Sequence, residues 1–173
     1  MDLLDFNSIG RQSGLVGENI STANDDDLIR ETCTQYTEFP DICVSTLEAY
    51  PRSKAATNFT SLCRAAMEVT ETQANKTLSF VSQFYNNETD FRTKPGIRSC
   101  MHNYGDSVTI INITGLPSFD RKNYRDAYDS IGYTREGAAE CNDTGVAMFF
   151  DPNNEVIMFT TIVLDLLNNL ITN

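Results

Sequence analysis

The side chains able to do chemistry are few. His102 is the only histidine in the 173-residue chain, so a Ser-His-Asp or Cys-His device would have to be built on it. It lies close to Cys100 in a stretch with helical periodicity, where a solvated imidazole is the expected reading. With no second histidine and no Cys-x-x-Cys, the sequence predicts no metal site. Gly10, Gly14 and Gly17 neither follow a strand pattern nor open a helix, so they do not form a phosphate loop. Carboxylates are everywhere in this acidic chain, and pairs of them discriminate nothing. The sequence therefore predicts no catalytic residue and no cofactor: a protein that works by presenting a surface rather than an enzyme.

Cysteines and sequons define the setting. There are five cysteines, so at least one is unpaired if the others form disulfides. Cys63, set among Phe59, Leu62 and Ala66, reads as a small core hydrophobe and a free thiol. Asn19, Asn58, Asn75, Asn87, Asn112 and Asn142 open six Asn-x-Ser/Thr sequons, against about three expected by chance at this composition. Both features predict a secreted, glycosylated protein in an oxidising compartment. No signal peptide is visible: Met1 to Phe6 carries acids and no apolar run. The net charge of −11 argues against nucleic acid and anionic membranes as partners. It favours a basic protein partner through electrostatic steering.

These residues must be positioned by helices. Residues 1–27 have no sustained period and read as a poorly ordered extension ahead of one domain, 28–173. Leu28 to Thr34 and Phe39 to Ala49 read as two short helices, with Pro40 in the first turn of the second. Ser53 to Asn86 carries apolar or small residues at three-four spacing, with Ser53 as the expected N-cap. Lys94 to Thr114 is the next helix, with Gly115 and Pro117 expected to stop it. Asp120 to Cys141 and Asp151 to Leu170 complete the set, joined by a loop near Asn142 to Asn154. The last apolar run, Val156 to Ile171, is interrupted by Asp165, Asn168 and Asn169, and reads as short of the ~20 residues that span a membrane. The sum is an all-α chain: an antiparallel four-helix bundle, up-down-up-down, preceded by a short helical hairpin.

One region carries a family resemblance. Ile29, Cys33, Thr37, Phe39, Pro40, Cys43, Leu47 and Pro51-Arg52-Ser53 form a pattern that resembles the plant pectin methylesterase inhibitor and invertase inhibitor family. Cys100 to Asp106, Lys122-Asn123-Tyr124 and Ala138 to Cys141 resemble its later motifs. The resemblance implies the same bundle, with Cys33 paired to Cys43 as the hairpin staple and Cys100 paired to Cys141; the residues alone leave other pairings open. In the entropy model, closing those loops contributes roughly 3 and 4 kcal/mol.

The resemblance further implies a secreted cell-wall inhibitor that covers the cleft of pectin methylesterase, one to one, with acid invertase as the alternative target. A non-inhibitory extracellular helical bundle that binds another partner is the alternative of a different class, and the chain is expected to be a monomer when free. The partner-binding residues implied are Asp106 and Asp143, with His102 and Thr109 standing where the family often has acids. The chain lacks the Pro-Lys-Phe loop of the invertase inhibitors, having Pro117-Ser118-Phe119 instead, which favours pectin methylesterase.

Overall fold

The computed structural model describes residues 23–173. Asn19 and most of the predicted extension lie outside them. Helix α1 runs Ala23–Tyr36, beginning inside the predicted extension, and α2 runs Pro40–Glu48. Pro40 opens α2, where its missing N–H costs nothing. The Cys33–Cys43 disulfide ties the two helices with Cα atoms 5.6 Å apart. Thr37 Oγ1 closes the turn between them by donating to the Cys33 carbonyl at 2.8 Å.

Pro51–Lys54 forms a single turn, α3, and the long helix α4 starts only at Phe59 and runs to Asn87. Ser53 is therefore not the N-cap. It is buried in α3, and the cap is Asn58, whose side chain accepts from the Ser61 N–H at 2.9 Å. Ser61 Oγ in return accepts from the Asn58 N–H at 3.1 Å, which makes a reciprocal box that a lone serine cannot match. Arg52 is tied to Glu68 of α4, and Glu68 also holds Arg64.

Helix α5 spans Lys94–Ile110. It does not stop at Gly115 and Pro117. It widens into a π-turn over Ile111–Gly115 and continues as α6, Leu116–Asp120. The Leu116 N–H reaches back five residues to the Ile111 carbonyl. This extra width accommodates Pro117, whose ring would clash with the carbonyl four residues earlier in a regular helix. Gly115 is the residue that lets the backbone close in: a Cβ there would lie 3.0 Å from Ser130 Cβ.

After a tight turn in which Lys122 takes φ of 62°, α7 runs Tyr124–Asp143 under an Asn123 cap. A 3₁₀ turn, Ala147–Phe149, leads into α8, Phe150–Thr172, so the predicted loop shrinks to a few residues. By length and composition Ala147–Thr172 is apolar enough to cross a membrane, which corrects the shorter run read from sequence. Its stripe of Val156, Phe159, Ile162, Val163, Leu166 and Leu167 is instead buried in the core.

Helices α4, α5, α7 and α8 form a closed antiparallel ring, each packed on its two neighbours. No strand occurs among the described residues. The core has two apolar clusters. One, at the hairpin end, includes Ile29, Leu47, Leu62, Met67, Ile131 and Phe159. The other, at the far end, includes Val81, Ile97, Tyr104, Ala138, Phe149 and Val156. Four buried hydroxyls, of Thr70, Ser107, Thr134 and Thr160, each donate to a carbonyl of their own helix, so they need no partner across the core.

Candidate functional site

His102, Asp106 and Thr109 are spaced i, i+4, i+7, which in an α-helix confines them to an arc of about 60°. All three are exposed and point away from the buried Ile97, Cys100, Tyr104 and Ser107 of the same helix. The structure thus brings these three predicted residues onto one outer ridge of α5.

The ridge is stiff because its inner face is fixed. The Cys100–Cys141 disulfide joins α5 to α7 with Cα atoms 4.9 Å apart. Asn103 Nδ2 donates to the Gly137 carbonyl and to Glu140 Oε2, both at 3.2 Å. Gly137 and Gly96 permit the close approach: a Cβ at Gly137 would lie 3.3 Å from Asn103 Cβ, and one at Gly96 would lie 3.1 Å from Thr144 Cβ. Tyr104 OH, fully buried, donates to Asn153 Oδ1 at 2.7 Å and locks α5 to α8. Burial pushes its phenol well above the usual tyrosine range. Asn153 Nδ2 passes the chain on to Asn142 Oδ1 at 2.8 Å.

Asp143 is the last residue of α7 and is exposed. It does not adjoin Asp106. Thr144 packs on Gly96, so Asp143 stands level with the first turn of α5, and ten residues of helix put Asp106 roughly 15 Å further along the axis. Two residues not read from sequence, Glu136 and Glu140, are exposed between these levels. Glu136, Glu140 and Asp143 repeat on α7 the spacing that 102, 106 and 109 have on α5; that repetition was the available signal. The result is a face about two helices wide with Asp106, Glu136, Glu140 and Asp143 outward. No carboxylate of this face enters an ion pair within the described residues.

Elsewhere the structure offers little reactive chemistry. Cys63 is a free thiol with no exposed surface, and burial raises its pKa far above that of an ordinary cysteine. No group of three His, Cys, Asp or Glu residues able to hold a metal occurs among the described residues. Of the predicted sequon asparagines, Asn58 caps α4, Asn112 Nδ2 donates to Glu71 Oε1 at 3.1 Å, and Asn142 Nδ2 donates to Asn154 Oδ1 at 3.0 Å. Asn75 and Asn87 are exposed on α4.

A model of the family described as plant invertase/pectin methylesterase inhibitor matches residues 27–166. A sequence comparison with curated proteins yields no match. Among solved structures, a mutant form of a pectin methylesterase inhibitor from Arabidopsis matches with a TM-score of 0.67 and 19% identity, over 79% of this chain and 92% of that one. A second, a pectin methylesterase inhibitor from Arabidopsis thaliana, matches with a TM-score of 0.61 and 18% identity, over 82% of this chain and 95% of that one. At these identities the structural matches speak to the fold.

Proposed function

The chain belongs to the plant invertase/pectin methylesterase inhibitor family, and from that premise we propose that it is a secreted inhibitor of pectin methylesterase, closing over the enzyme's cleft in a one-to-one complex. The observation that carries the reading is the α5–α7 face, where four carboxylates that enter no ion pair among the described residues stand on a disulfide-braced support. Such a face matches a basic rim: it steers encounter at long range and forms charge-assisted hydrogen bonds at contact. Asp106 and Asp143 are the acids assigned to the partner, with His102 and Thr109 supplying hydrogen bonds between and beside them. Inhibition needs no catalytic group on this side. It needs a rigid surface that occludes the cleft, and pre-organised helices lose little entropy on binding.

The test is a titration of the oxidised protein against a plant pectin methylesterase and an acid invertase in parallel, at mildly acidic pH. The expected result is loss of esterase activity with an endpoint near one equivalent. Loss of invertase activity alone moves the same face to the other enzyme, and silence against both overturns inhibition as the function. Asp106→Arg combined with Asp143→Arg should weaken inhibition by at least about 100-fold, since each reversal sets like charges against a basic rim. Full inhibition by that variant would remove the site assignment while leaving the function standing.

A further inference from the structure

We propose that Ile113 is the apolar anchor by which this face grips its target enzyme. This rests on the reading of the α5 ridge as the inhibitory surface. The ridge spacing of His102, Asp106 and Thr109 continues by four to Ile113. Ile113 lies in the π-turn between the buried Ile111 and the buried Gly115 and is 72% exposed, the most exposed large aliphatic side chain among the described residues.

The local backbone explains why it cannot retreat. Ile111 and Gly115 are the residues that turn inward, and Gly115 is pressed against Ser130 and Met67. Asn112 is held toward α4 by its bond to Glu71. Ile113 is left as the outward residue of the turn. π-turns recur at functional sites because they re-aim a side chain without ending the helix. An apolar side chain set at the end of a charged ridge has the arrangement of an interface anchor with its polar surround. The acids choose a basic-rimmed partner; Ile113 would fill an apolar recess beside that rim. Tyr133, 43% exposed on α7, lies within about a turn of it along the axis and would form the second wall of the contact.

The experiment compares inhibition constants of the wild type, Ile113→Ser and Phe91→Ser against whichever enzyme the wild type inhibits. Phe91 is 78% exposed and lies before the first turn of α5, at the opposite end of that helix from Ile113, so it controls for the loss of an exposed apolar group in general. Because Asn112 is a sequon asparagine beside Ile113, all three proteins are made in a host that adds no N-glycans. Ile113→Ser should raise the inhibition constant 10- to 100-fold, the range expected for failing to bury one aliphatic side chain. Phe91→Ser should stay within about twofold, and all three should melt together, since both changes are at exposed positions. Equal inhibition by wild type and Ile113→Ser overturns the anchor while the inhibitory function stands. An equal loss in Phe91→Ser also overturns it. A wild type that inhibits neither enzyme takes down both readings.

Discussion

At the hairpin end of the molecule, Cys33–Cys43 joins two short helices that meet the bundle through apolar contacts, the Tyr36–Phe59 ring pair at 5.0 Å, and one long hydrogen bond from the Glu38 N–H to Asp165 at 3.4 Å. At the far end, Cys100–Cys141 lies inside an interface already closed by Gly96, Gly137 and the Tyr104–Asn153 bond. The same covalent link does different work in the two places. In the first it creates a unit that would otherwise be two marginal helices. In the second it reinforces a seam, and the seam carries the proposed face.

Removing each bridge tests that difference most strongly. Cys100→Ala with Cys141→Ala should lower global stability by about 4 kcal/mol, because the bridge closes the longer loop. Cys33→Ala with Cys43→Ala should cost at most about 3 kcal/mol, and the loss should appear as faster amide exchange confined to residues 28–48. Exchange that accelerates equally through α5 and α7 in the second variant would break the comparison.

Glycines sharpen it. Gly115→Ala should destabilise by about 1–3 kcal/mol, because the new Cβ meets Ser130 Cβ at 3.0 Å and overpacking outweighs the helix preference of alanine. Gly105→Ala and Gly132→Ala, with nothing within 4 Å, should each stabilise by about 0.5–1 kcal/mol. Denaturant melts of the three variants decide whether the seam is as tight as its glycines imply.

The smallest effects concern pH. The hydrogen bond from Arg64 holds Asp120 below the usual carboxylate range, outweighing burial, which acts in the opposite direction. Its stabilisation is therefore present above the unfolded value near 4 and lost as pH falls through the lower folded value. Asp165, at the hairpin junction, is raised, chiefly by burial. Its charged form opposes folding, so the penalty is present above the folded value and relieved as pH falls through it. Asp120→Asn should thus destabilise at neutral pH and Asp165→Asn should stabilise, each by less than about 1 kcal/mol, with both differences fading in acid. Melting the two variants between pH 3 and pH 7 would expose an error in either sign.

Much of this was legible in the sequence. Three-four spacing located the four long helices, and the fold class is as the pattern implied. The caps were harder. Ser53 lies between a proline and a periodic run, yet the Asn58–Ser61 pair satisfies two backbone donors where Ser53 would satisfy one. Gly115-Leu116-Pro117 reads as a stop because local rules assume α-geometry; tertiary packing against Ser130 and a wider turn let the chain continue. The ridge of His102, Asp106 and Thr109 follows from spacing alone. Ile113 lies inside the predicted helix at the same spacing, but its exposure depends on the wider turn over Ile111–Gly115, which no local pattern signals. The Glu136–Glu140 pair was hidden by the uniform acidity of the chain.

Cys63 has a consequence for how the protein is made. Thiol–disulfide exchange requires a thiolate with access to sulfur. In the folded state this thiol is fully enclosed and held protonated, so it cannot attack either bridge. Before the bundle closes it is an ordinary competitor for four other sulfurs. Burial of Cys63 therefore withdraws the one free thiol of the described residues from exchange, and a molecule in which Cys63 is bonded to another cysteine cannot seat that side chain in the core as it is seated here.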